Sequence, residues 1–92
     1  MIQSFQCGDT ERLFHDESVR KWQAIEDVAR RKLNMLHAAH KLDDLKVPPG
    51  NKLHKLIGDR AGQHAIRIND QYRVCFTWRD GHAYDVEISD YH

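Results

Sequence analysis

The sequence predicts an α+β fold of two layers, with an N-terminal strand and helices packed on an antiparallel β-meander. Two changes of period carry that prediction. Between Val19 and Ala39 the apolar residues recur three or four positions apart, as on one buried helical face, whereas from Ile66 onward they alternate with polar neighbours, as in half-buried strands. Between the two, Val47-Pro48-Pro49-Gly50-Asn51 must stop any helix, because proline removes a donor and glycine and asparagine favour turns.

In chain order, Ile2 to Cys7 alternates imperfectly and reads as a short strand, and Asp9-Thr10-Glu11 reads as a helix start. A long helix is expected from Val19 to about Ala39, burying Trp22, Ile25, Val28, Ala29, Leu33, Leu36 and Ala39. Arg20, Lys21, Glu26, Asp27, Arg30, Arg31 and Lys32 fall mostly off that stripe and are expected to form a solvated face. Gly58-Asp59-Arg60-Ala61-Gly62 reads as a turn, since it lacks the lysine and the strand-to-helix setting of a phosphate-binding loop. Three strand runs follow: Ile66 and Ile68; Val74, Phe76 and Trp78; Tyr84, Val86 and Ile88. Asn69-Asp70 and Asp80-Gly81 supply the turns between them. If Ile66, Ile68, Val74, Phe76 and Trp78 face the helix, then Arg67, Arg73, Cys75, Thr77 and Arg79 occupy the opposite, arginine-rich face.

The 92 residues suit one domain, residues 1–92, with a single core and a shallow site. Net charge is +0, yet Lys46, Lys52, Lys55, Arg60, Arg67, Arg73 and Arg79 form a basic segment against only Asp59 and Asp70, a distribution that suits a local polyanion contact. Cys7 and Cys75 lie far apart without metal-ligand spacing, so free thiols in a reducing compartment are expected. The first residues lack a signal-peptide pattern and no apolar run reaches the roughly 20 residues of a membrane span, so a soluble, cytoplasmic protein without a membrane partner is expected.

The chain closes on Asp90-Tyr91-His92, which places an acid, a phenol and an imidazole together after the last strand pattern. Such groups can hold or move protons. Each also has an ordinary reading: a terminal histidine can simply be solvated, Asp90 can end a strand and Tyr91 can pack. His54 can cover an edge, and Arg73 can pair with Glu87 across the sheet. Lys52, Lys55, Arg60, Arg67 and Arg79 form either a rim that grips the phosphates of a polyanion or a salt-bridged surface. His37 and His40 share a helical face but have no third ligand nearby, so no metal site is expected.

The segment from Lys52 through Lys-Leu-His-Lys-Leu-Ile-Gly-Asp-Arg and Asn-Asp-Gln-Tyr-Arg-Val-Cys-Phe-Thr-Trp, with the Met-Ile-Gln-Ser-Phe start, the Pro-Pro-Gly-Asn loop and the Val-Glu-Ile-Ser-Asp-Tyr-His end, resembles the HigB/GraT branch of the RelE toxin superfamily. That resemblance implies a RelE-like fold and a toxin that enters the A site of the 70S ribosome and cleaves mRNA there. It implies no cofactor or metal, with the substrate's 2′-hydroxyl as nucleophile, leaving a cyclic phosphate and a 5′-hydroxyl. Its implied partner is a HigA-like helix-turn-helix antitoxin, through which the toxin-antitoxin complex binds operator DNA. The family's working residues fall on His54, Arg73, Asp90, Tyr91 and His92, and Ile57 stands where some members carry a basic residue. An alternative from another class is a non-catalytic module that uses the arginine face to block RNA or a protein; it would leave His92 dispensable.

Overall fold

The computed structural model describes residues 1–90, so Tyr91 and His92 lie outside the described residues. Helix α1 spans Gly8–Phe14 and helix α2 spans Glu26–Ala38. Four strands, β1 (His54–Lys55), β2 (His64–Arg67), β3 (Tyr72–Arg79) and β4 (His82–Asp90), form an antiparallel sheet in the order β1-β2-β3-β4. Both helices pack on one face, where Leu13, Ala29, Leu33 and Leu36 meet Ile66, Val74, Phe76, Val86 and Ile88 in one core.

The long helix is shorter than its apolar stripe predicts. Arg20–Ile25 is a 3-10 segment, with Trp22 out of helical geometry at φ −115° and ψ 15°. The reason lies in the spacing: Val19, Trp22 and Ile25 are three apart and all buried, and three residues per turn is the 3-10 period. Four-residue steps begin only at Ala29, inside α2, where Glu26 and Asp27 also place negative charge at the helix start.

Lys32 departs from the expected solvated face. It is buried, and its ammonium donates to the Asn51 side-chain oxygen at 2.6 Å. Asn51, fully buried, also donates to the Leu45 carbonyl at 3.1 Å and so fastens the Pro48–Asn51 loop against α2.

The N-terminal segment runs parallel to β4 through two isolated bridges, Ile2 to Ala83 and Phe5 to Val86, instead of a continuous strand. A bulge in β4 breaks the ladder between them. Cys75 pairs with Glu87 but Thr77 pairs with Tyr84, so β4 carries one extra residue, and Asp85 takes a left-handed φ of 54°. The Asp85 amide turns instead to the Ser4 hydroxyl at 2.9 Å. The bulge also reverses the expected parity of Tyr84. Ala83, Val86 and Ile88 face the core, while Tyr84 lies against Arg79, whose guanidinium sits 4.2 Å from the ring centre.

The turn between β3 and β4 follows the sequence. Asp80 and Gly81 both have positive φ, 53° and 80°, as a tight two-residue hairpin requires. In the β2–β3 connection the Asn69 side chain accepts the amides of Gln71 and Tyr72 at 2.9 and 2.7 Å, which shapes the loop.

Candidate active site

Strand register assembles the site on the face of the sheet turned away from the helices. His54 pairs with Ala65, Ala65 with Cys75 and Cys75 with Glu87, so these four share one row and one face. Two residues along, Arg67, Arg73 and Ser89 form the next row on that face. Arginines therefore do occupy it, as parity predicts. The face is not wholly open, because Leu56 folds over Ala65 and Cys75 and buries them as a small second cluster.

Beside that cluster lies a cleft of about 320 Å³ lined by His54, Lys55, Leu56, Ile57, Arg60 and Arg73. His54 and Arg73, far apart in sequence, thus meet in one concavity. The exposed His54 ring is held by its own segment: Nδ1 lies 2.8 Å from the Lys52 carbonyl oxygen. Lys52 itself is left-handed, with φ 47° and ψ 51°. Lys55 and Ile57 are exposed at the cleft, and Ile57, 89% accessible, is among the most exposed large apolar residues described.

Arg60 is committed to the protein more than to solvent. Its guanidinium donates to Glu87 at 2.6 Å, to Gln63 at 3.1 Å and to the Ser89 hydroxyl at 3.3 Å. The hydrogen bond that Arg60 donates to the Glu87 carboxylate holds the Arg60 pKa above its ordinary value. Glu87 is therefore paired from the loop and not from Arg73, whose cross-strand neighbour is Ser89. On the other side of Arg60 a wider hollow of about 620 Å³ is lined by Gln6, Asp59, Arg60, Ala61, Gln63, Asp85 and Glu87. Its three carboxylates disfavour a phosphate, so the smaller cleft is the better anion site.

The other basic candidates disperse. Arg67 forms an ion pair with Asp70 in the adjoining loop. Arg79 lies six residues beyond Arg73 on β3, roughly 20 Å at ~3.3 Å per residue, and stacks on Tyr84 at the hairpin end. Lys52 is exposed and outside the cleft lining. Asp90 pairs with Tyr72, one position out of phase with Ser89, and its carboxylate accepts from the Gln71 side chain at 3.0 Å. Tyr91 and His92, the remaining candidates, fall outside the described residues.

His64 was not among the sequence candidates. It pairs with Lys55, stacks on Phe76 with ring centres 6.2 Å apart, and keeps Nδ1 buried without a hydrogen-bond partner among the described residues. Burial first, and then the charges of Lys55 and His54, push its pKa below the ordinary 6.5. Among the described residues no group of three His, Cys, Asp or Glu side chains is placed to hold a metal ion, and no helix is long and apolar enough to cross a membrane.

The family described as RelE-like toxin of type II toxin-antitoxin system HigB matches residues 3–92. The chain belongs to this family. Among its relatives, Toxin HigB-1 of Vibrio cholerae is 43% identical over 65 residues, covering 71% of this chain and 68% of that protein. Endoribonuclease HigB of Proteus vulgaris is 32% identical over 94 residues, covering 100% of both. Solved structures of similar shape are YafQ from E. coli, with a TM-score of 0.65, 12% identity and 98% and 93% of the two chains covered, and the YoeB–YefM complex of Staphylococcus aureus, with 0.58, 21%, 100% and 98%. At those identities the likeness shows the fold alone, a two-layer α+β sandwich. The HigB-family cleft is thus built from β1, the loop before β2 and the start of β3.

Two features of this HigB-family site escaped the sequence. Nothing local to Lys32 or Asn51 announces their buried pair, which joins elements 19 residues apart. The engagement of Arg60 likewise depends on a contact with Glu87 that only the folded loop creates.

Proposed function

We propose that this HigB-family toxin is an endoribonuclease that cleaves mRNA in the ribosomal A site, with no metal and with the substrate's 2′-hydroxyl as nucleophile. One observation carries the proposal: the cleft that brings an imidazole, His54, beside a permanently charged guanidinium, Arg73, on the basic face of the sheet. A full-length relative named as an endoribonuclease supports it.

The reaction makes three demands. The 2′-hydroxyl must lose its proton as the 2′-oxygen bonds to phosphorus, the five-coordinate phosphorus must be neutralised, and the 5′-oxygen must gain a proton as its bond to phosphorus breaks. Arg73 suits the second, since its fork can meet two phosphate oxygens at once. His54 and His92 divide the proton transfers between them, with Asp90 and Tyr91 beside His92 in sequence to orient it or to meet a base. Lys55 is the rim cation of the cleft and Lys52 stands one step outside it.

The size of the cleft supports dependence on the ribosome. About 320 Å³ lies at the low end of the ~300–1,000 Å³ typical of small-ligand sites, too little to grip an RNA strand unaided. The ribosome then supplies the hold and alignment. A HigA-like helix-turn-helix antitoxin is the expected neutralising partner and the part of the complex that binds operator DNA.

Primer extension on a defined mRNA, with and without programmed 70S ribosomes and beside His92→Gln, tests the proposal. Cleavage inside the A-site codon only with ribosomes, and lost in the variant, is the expected result. Ribosome binding without cleavage would replace it with a non-catalytic blocking module.

A further inference from the structure

We propose that Lys52 is a positioning residue that acts through its backbone: its left-handed carbonyl fixes His54 as the Nδ1–H tautomer, leaving Nε2 as the acceptor of the 2′-hydroxyl proton. This assignment rests on the nuclease reading above and adds to it the identity of the base.

A carbonyl oxygen can only accept a hydrogen bond, so the 2.8 Å contact between His54 Nδ1 and the Lys52 oxygen requires the proton to sit on Nδ1. A neutral imidazole then has its lone pair on Nε2. Solvated histidine prefers the opposite tautomer, with the proton on Nε2, so this exposed ring is held against its default. The tautomer matters for a base and not for an acid, because an imidazolium carries protons on both nitrogens. In the step assigned here the 2′-hydroxyl proton passes to Nε2, the 2′-oxygen bonds to phosphorus, and the bond from phosphorus to the 5′-oxygen breaks. The 5′-oxygen takes its proton from the acid, the role left to His92. In the resulting imidazolium the Nδ1–H bond to Lys52 persists and steadies the charge.

The carbonyl is in place because of an uncommon backbone. At φ 47° and ψ 51°, Lys52 occupies a region that costs a residue with a side chain about 1–2 kcal/mol. Its neighbours hold it there. The Lys52 amide donates to the Pro49 carbonyl at 3.1 Å, and the preceding Asn51 is locked by the Leu45 carbonyl and by the Lys32 ammonium of α2. A buried tie from the helical layer therefore ends on Asn51, the residue next to the one whose carbonyl holds the His54 ring.

Four variants separate backbone from charge. Lys52→Asn and Lys52→Gly accept a left-handed conformation, whereas Lys52→Val and Lys52→Ile oppose it, and all four remove the same charge. Steady-state cleavage on programmed ribosomes is expected to show KM raised alike in all four. kcat should be at least tenfold lower for Val and Ile than for Asn and Gly, and the acid limb of the kcat profile should move only in the former pair. Long-range proton–nitrogen correlation of the histidine rings is expected to show His54 as Nδ1–H in the wild type and Lys52→Asn, and as a tautomer mixture in Lys52→Val. If thermal melts show the Val and Ile chains unfolded, Lys52→Ala, with a milder penalty, takes their place. Equal kcat across the set, or a wild-type His54 protonated on Nε2, would overturn the inference. A wild-type protein that cleaves nothing on ribosomes would instead overturn the nuclease reading, and the tautomer spectrum would still decide the role of the Lys52 carbonyl.

Discussion

Lys32 and Asn51 form a buried hydrogen bond of 2.6 Å that ties the middle of α2 to the loop before β1. Desolvation, and then the charge of Arg31, lowers the Lys32 pKa, the mark of an ammonium kept in the interior by its partner. Burying a charge is tolerable only when it is paired, so this contact sets where the loop can sit.

Asn51→Ala is expected to destabilise the fold by about 2–3 kcal/mol, because it strands the buried ammonium. In a Lys32→Met background the same change should cost much less, since no charge is left behind. Urea unfolding of the four chains measures both values; strict additivity would show that the two side chains act separately.

His64 makes stability depend on pH. Its folded pKa lies below the unfolded 6.5, so as pH falls below 6.5 the unfolded chain takes up a proton that the folded one resists. Stability attributable to His64 is therefore full above 6.5 and declines as pH drops towards the folded pKa. His64→Gln should flatten the fall in melting temperature between about pH 7.5 and pH 5.5, relative to wild type. An unchanged fall would assign it to other groups.

Arg60 and Arg73 line one cleft but are expected to differ in kind. Arg60→Ala removes the partner of Glu87, a half-buried pair worth about 1–2 kcal/mol between the surface and buried limits. It should lower kcat less than about tenfold. Arg73→Ala should lower kcat by about 100-fold, the scale of a lost transition-state donor. Urea unfolding alongside single-turnover cleavage separates the two effects. An Arg60 variant as inactive as the Arg73 variant, at wild-type stability, would make Arg60 part of the chemistry.

By itself the sequence determined the layers, the helix-to-strand change at the Pro-Pro-Gly-Asn loop, the Asp80-Gly81 hairpin and the arginine parity of β2 and β3, because each depends on local period or turn chemistry. It also named His54 and Arg73 as site candidates, and the structure places both in the lining of one cleft. The 3-10 entry to α2 is not legible in the sequence, which predicts one helix from Val19 to about Ala39; the three-residue spacing of Val19, Trp22 and Ile25 fits it only once the structure is known. Tertiary structure alone decided the bulge at Asp85 and the outward turn of Tyr84, since one extra residue in β4 reverses parity without a mark in the pattern. It alone decided that Arg60 and Lys32 are claimed by Glu87 and Asn51, residues remote in the chain. Charge pairing at a distance has no sequence period, and only packing brings the partners within reach.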